Sequence, residues 1–175
     1  MKKLLLTVLL FIGSFTVANA QAFGIKAGFN FANFTGDDAG DFNVLTSFHG
    51  GLVAEIHVLN AVSVQPELLY SIQGAKNDDE NYKLNYLTVP VMMKIYLADS
   101  FNIHGGPQIG LLISESDNFE GFESNTYDFG FAAGAEFFFA NNFSVQARYN
   151  WGTTKVSDAA EIKNSVAQVS LCYMF

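Results

Sequence analysis

Lys26, Glu55, His57, Glu67, Lys94, His104, Glu136 and Arg148 are the residues with the most chemistry to offer. Each sits in a stretch where apolar and polar residues alternate one for one, and each falls on the more polar face. Three bases, three acids and two histidines on the inside of a narrow sheet would have to pair, because a buried charge without a partner is strongly unfavourable. The expectation is therefore an interior network built from Lys26, Glu55, Glu67, Lys94, Glu136 and Arg148, filling the space and acting as scaffold. A narrow or gated channel lined by the same side chains is the alternative. Residue type does not separate the two readings, since both require mixed signs.

Other constellations are weaker. Ser47 and His49 are two residues apart and share a face, as a nucleophile and its base would, but no acid is placed to orient the histidine. A lumen histidine with satisfied hydrogen bonds explains His49 as well. His57 and His104, with Glu55 or Glu67, would form a metal site only if the fold brought them together. The run TGDDAGD, with Asp37, Asp38 and Asp41, lacks the spaced ligands and terminal glutamate of a calcium loop. Cys172 reads as a small buried side chain. No catalytic, cofactor or metal residue is assigned, and the expectation is a protein that is not an enzyme.

The positioning elements follow from periodicity. The last ten residues, Val166 to Phe175, put Ala167, Val169, Leu171, Tyr173 and Phe175 on one face and Gln168, Ser170, Cys172 and Met174 on the other, the period of a β-strand with one apolar side. The same pattern predicts strands over Phe23–Phe34, Ser47–Val58, about Ala61–Gln73, Lys83–Leu97, Phe101–Ser114, Tyr127–Phe139 and Phe143–Gly152. Pro66 in the third strand cannot donate to a ladder, so a local bulge is expected there. In the fifth strand Leu112 and Ser114 are expected on the inner face. Connections alternate between long and short. The long ones are polar: Thr35–Thr46, Gly74–Tyr82, Glu115–Thr126 and Thr153–Ser165. The short ones centre on Leu59-Asn60, Ala98-Asp99-Ser100 and Ala140-Asn141-Asn142.

Met1–Ala20 has the layout of a cleaved secretory signal peptide: Lys2 and Lys3, an apolar run from Leu4 to Val17, then Ala18-Asn19-Ala20 as a cleavage site. Residues 21–175 form one domain. Without the leader the chain carries seven basic against 17 acidic residues, a net charge of −10. Such a chain is a poor partner for nucleic acid, whose phosphates call for Lys and Arg. One cysteine excludes an internal disulfide. After Val17 no apolar run reaches the ~20 residues of a membrane helix, so any crossing is made by strands.

Eight strands with this rhythm suit an antiparallel up-and-down barrel with both termini at the short-turn end. A soluble sandwich or lipocalin-like barrel shares the alternation and differs in which face is buried. Three features favour the membrane. The polar face is rich in Gly, Ser and Gln; the apolar face is nearly free of charge; and aromatics gather near strand ends. Phe23, Phe101, Phe139, Phe143 and Phe175 lie at the turn side, with Phe31, Phe48, Tyr127, Tyr149 and Trp151 toward the loops, as interfacial girdles would. The fold class expected is all-β, an eight-stranded transmembrane β-barrel of the bacterial outer membrane, with termini periplasmic and long loops extracellular.

The stretches NYLTVPVMMKIYL (Asn85–Leu97), FNIHGGPQIGLLIS (Phe101–Ser114) and FSVQARYNWG (Phe143–Gly152) resemble strands of the outer-membrane β-barrel "porin family" proteins of Bacteroidota. The likeness spans essentially the whole mature chain, carried by the order and spacing of short motifs. It implies location and fold, without implying conduction. It also implies that Leu171, Tyr173 and Phe175 of the closing strand are the signal read by the barrel-assembly machinery. Expected partners are outer-membrane lipid and lipopolysaccharide; the acidic loops read by default as a solvated face, with divalent cations shared with lipopolysaccharide phosphates, or an extracellular ligand at those loops, as the functional alternatives. The function expected is structural or surface-interaction; a narrow porin-like channel and a lipid-modifying barrel enzyme are the alternatives. No cofactor is expected.

Overall fold

The computed structural model describes residues 21–37, 39–40, 42–77, 80–116, 124–157 and 161–175. The expected signal peptide lies outside the described residues, as do Asp38, Asp41, Asp78, Asp79, Asp117, Glu120 and Glu123 of the acidic loops.

Eight strands follow one another: β1 (Gln21–Thr35), β2 (Leu45–Leu59), β3 (Val62–Asn77), β4 (Glu80–Ala98), β5 (Phe101–Glu115), β6 (Tyr127–Ala140), β7 (Phe143–Gly152) and β8 (Lys163–Met174). Each pairs antiparallel with its neighbours in sequence, and β1 pairs with β8 to close the barrel. The seam runs from Gly24 opposite Met174 to Thr35 opposite Lys163, and the Phe175 amide donates to the Phe23 carbonyl at 2.7 Å. Closure removes the two free edges that an open eight-stranded sheet would expose.

The alternation of the sequence becomes an inside and an outside. Phe29, Leu52, Phe131 and Leu171 stand exposed on the outer surface, while Lys26, Val53, Ala132 and Cys172 are buried within. An apolar exterior this extensive exceeds the patches tolerated in water and is the surface that a barrel presents to lipid. Aromatic contacts cluster at both ends of that surface. Phe143 packs on Tyr173 and Phe139 at the short-turn end, and Tyr149 on Trp151 toward the loops.

Three sequence expectations are corrected. Pro66 sits in β3 without a bulge: its pairing with Val91 is in the same register as Leu69 with Thr88. Strand pairing is interrupted there and resumes unshifted, so the proline costs ladder bonds and not alignment. The shifts fall instead at His57/Leu59, Asn85/Tyr86, Tyr96/Ala98 and Phe138/Ala140. The second of these reverses Ser114, which stands opposite outward-facing Asn85 and accepts its Nδ2 at 2.8 Å rather than turning inward.

The third correction concerns Gly74–Tyr82, expected as a loop. β3 and β4 continue through it as a hairpin, paired out to Asn77 opposite Glu80. Gly74 makes this extension possible. It takes φ +121°, and a Cβ there would lie 1.9 Å from the Tyr82 carbonyl oxygen. β1 has a matching position at its outer end, where Gly36 takes φ +128° against the Glu161 carbonyl.

Candidate functional site

The inner face can be followed from the short-turn end upward. At the bottom, Lys94 on β4 reaches two carboxylates, Glu55 Oε2 at 2.8 Å and Glu136 Oε2 at 2.7 Å. Glu55 also accepts from Ser63 Oγ at 2.5 Å and from the Tyr96 hydroxyl. Glu136 accepts from Asn102 Nδ2, Ser144 Oγ and Gln146 Nε2 at 2.8, 2.5 and 2.9 Å. His57 stands at the rim, half-exposed, with Nε2 3.7 Å from Glu55 and its ring stacked on Tyr96.

One layer up, Glu67 on β3 takes a two-pronged grip from Arg148 on β7, with Nη1–Oε2 at 2.9 Å and Nη2–Oε1 at 2.7 Å. That fork geometry is what a guanidinium offers a carboxylate. Lys26 Nζ lies 3.2 Å from Glu67 Oε2, and Gln65 Nε2 donates to Oε1 at 2.7 Å. Arg148 Nε donates to His104 Nε2 at 3.4 Å, so the other ring nitrogen is the one free to donate to Asn102 Oδ1 at 3.3 Å. The six residues expected to form a network are therefore brought into two groups, Lys94–Glu55–Glu136 and Lys26–Glu67–Arg148. Each group has all its charged heads buried.

A neutral layer follows. His49 lies between Asn30 Oδ1 and Ser170 Oγ, both at 2.8 Å, and Asn30 Oδ1 also accepts from Gln168 Nε2 at 2.8 Å. Ser47 turns away from His49 and donates to the Ile72 carbonyl at 2.7 Å. The structure thus does not assemble the Ser47–His49 pair as nucleophile and base. His57 and His104 are separated as well: His57 meets Glu55 and Tyr96, and His104 meets Arg148 and Asn102. Among the described residues no cluster of three or more His, Cys, Asp or Glu side chains is placed to hold a metal. Cys172 is buried with its sulfur 3.7 Å from Met174 Sδ.

Nearer the loops the interior changes character. Asp128 on β6 is buried and accepts from Asn164 Nδ2 at 3.1 Å, with the Tyr86 hydroxyl 3.3 Å from the same nitrogen. Above it Phe34, Ala75, Leu84, Tyr86, Val156 and Ile162 form an apolar cluster, joined by Phe42 and Tyr82 in edge-to-face contacts. Two isolated bridges, Asn43 with Lys76 and Ser124 with Ser157, tie loop segments to it or to one another. Alternation along the chain carries no signal for this cap. Val156 and Ile162 lie within the polar stretch Thr153–Ser165, which has no alternation, and Phe34, Ala75 and Leu84 lie at the ends of the expected strands or in a segment expected as a loop.

Comparison with known proteins follows the same lines. The sequence profile of the family described as outer membrane protein β-barrel domain matches residues 4–175. No curated protein matches the chain. Among solved structures, Neisserial surface protein A is 13% identical with a TM-score of 0.61, over 87% of this chain and 97% of that one. The attachment invasion locus protein Ail of Yersinia pestis is 14% identical with a TM-score of 0.57, over 89% of this chain and 99% of that one. Ail has also been solved in complex with the heparin analogue sucrose octasulfate. Identities this low speak for the shared barrel alone. With a profile match over nearly its whole length and a closed eight-stranded barrel, the chain belongs to the outer membrane protein β-barrel domain family, whose place is the bacterial outer membrane.

Proposed function

We propose that this protein is a structural and surface-interaction component of the outer membrane whose lumen is closed by its own side chains, rather than a pore or an enzyme. The observation that carries this reading is the pairing of every one of Lys26, Glu55, Glu67, Lys94, Glu136 and Arg148 inside the barrel. A barrel of eight strands has an interior just filled by side chains. These six charges, locked in mutual ion pairs, leave none of the six oriented toward a passing solute.

Function then moves to the loops. Across the four long connections the formal charge is −9, nearly all of the −10 carried by residues 21–175. That surface favours cationic ligands, or divalent cations shared with lipopolysaccharide phosphates, over the sulfated polyanion analogue seen with Ail. In this reading residues 1–20 direct export and are removed, and the barrel is of the Bacteroidota "porin family" type. Leu171, Tyr173 and Phe175 serve recognition by the assembly machinery; deleting Phe175 lowers outer-membrane levels, and unchanged levels would count against that role.

Conductance of the refolded barrel in a planar bilayer, beside an Arg148→Ala variant, tests the closed lumen. Silence in the parent, with insertion confirmed by heat-modifiable gel migration, supports it. Discrete steps in the parent make the protein a narrow channel and turn the lumen charges into selectivity elements. A lipid-modifying activity would instead appear as a shift in lipid A mass between deletion and complemented strains.

A further inference from the structure

The paired charges of the lumen leave one carboxylate over. Asp128 is 8% exposed, yet among the described residues no Lys, Arg or His lies within ion-pairing distance of it. Its side-chain hydrogen bond comes from Asn164 Nδ2 at 3.1 Å. That bond orients the amide. An ionised carboxylate only accepts, so the nitrogen faces Asp128 and Asn164 Oδ1 is turned elsewhere. Asn164 Oδ1 has no hydrogen-bond partner, and neither has Asn150 Oδ1 on β7, although the two residues are only 2% and 6% exposed.

These side chains converge. Asp128, Asn150 and Asn164, with Gln73 and Gln108, line one cavity of about 10 Å³. Gly130 and Gly152 line it too; a Cβ at either would press on the neighbouring strand, 2.5 Å from the Trp151 carbonyl oxygen and 2.7 Å from that of Asn164. A volume of this size is about that of one water molecule or one small bare ion. The cavity's polar side chains are carboxylate and amide groups, without thiolate or imidazole.

We propose that this cavity binds a small hard cation, sodium or calcium, through the Asp128 carboxylate and the side-chain oxygens of Asn150 and Asn164. A water could donate to both orphaned amide oxygens, but it would leave the buried charge of Asp128 uncompensated. A monovalent cation answers both needs with one particle; calcium would also draw oxygens from Gln73, Gln108 or water toward the roughly six to eight it takes. Oxygen-only donors disfavour zinc, whose structural sites are built from cysteine and histidine. The small volume disfavours magnesium, which keeps much of its water shell. The site lies between the ionic lumen and the apolar cap, where an ion would tie β6, β7 and β8 together.

The test uses the mature barrel refolded in detergent and dialysed into choline chloride with a chelator. Thermal unfolding is followed through Trp151, the one tryptophan. Sodium chloride and calcium chloride are then titrated separately at constant ionic strength, which distinguishes the two cations. The midpoint of the parent should rise by about 5–10 °C at a hundredfold excess over Kd. The rise should fall by at least half in Asp128→Asn and persist in Asp37→Asn, which alters an outer loop. Should Asp128→Asn fail to fold, Asn150→Ala carries the test, with affinity at least tenfold weaker. Equal shifts in the parent and in the cavity variants would place the cation on the acidic loops and overturn the site. No shift with either cation would show that the cavity holds only water or a proton.

Discussion

Toward the short turns the inward faces of the strands carry Lys26, Glu67, Lys94, Glu136 and Arg148; toward the long loops the same faces carry Phe34, Ala75, Leu84 and Tyr86. Both regions fill a cylinder, and both are buried. They differ in what their burial contributes. Ion pairs taken out of water lose hydration that their mutual attraction only partly restores, so the lower network specifies geometry more than it adds net stability. The cap gains stability by removing apolar surface from water, at roughly 25 cal/mol per Å². The lower region is therefore intolerant of losing one member, and the upper one responds in proportion to the carbon removed.

The sharpest way to break this contrast is at Glu67. Glu67→Ala leaves Arg148 and Lys26 buried without their carboxylate and should cost about 3–5 kcal/mol in urea unfolding. A triple variant, Glu67→Leu with Lys26→Met and Arg148→Met, should recover at least half of that loss; no recovery would mean that the ion pairs themselves stabilise the barrel.

In the cap, Phe34→Ala should cost about 2–3 kcal/mol by the same measurement, at or below the usual range for a buried phenylalanine because the cluster is small. A loss matching that of Glu67→Ala would erase the distinction between the regions. His49→Ala probes the neutral layer between them. It leaves the Ser170 hydroxyl without its partner, while Asn30 Oδ1 keeps the bond from Gln168, and should cost about 1–3 kcal/mol. The smallest effect is expected from Lys155→Ala, which removes an exposed ion pair with Glu161: under about 1 kcal/mol, and less in high salt.

Much of this architecture is legible along the chain. The two-residue period places Lys26, Glu67, Lys94 and Arg148 on one face, because side chains on a strand have only two directions to choose from, and all four are buried. Where the period slipped, so did the reading. Ser114 lies beyond the register shift at Asn85/Tyr86, and one extra residue in a strand turns every later side chain to the other face. Pro66 misled in the opposite sense: a missing donor suggested a bulge, but neighbouring ladder bonds hold the register without one. Val156 and Ile162 join the cap from a segment with no period to read.

Composition and alternation thus determined the strands, the sign of each face, the acidic loops and the membrane setting, since each is a local property or a sum over residues. Height along the barrel axis was not among them. Glu67 meets Arg148 across 81 positions, and Asn164 meets Asp128 across 36. Those meetings depend on strand tilt and on the stagger accumulated around the closed sheet. Alternation tells which side of the wall a residue is on. Only closure of the barrel decides which residues share a level inside it, and so which charges pair and which carboxylate is left beside a cavity.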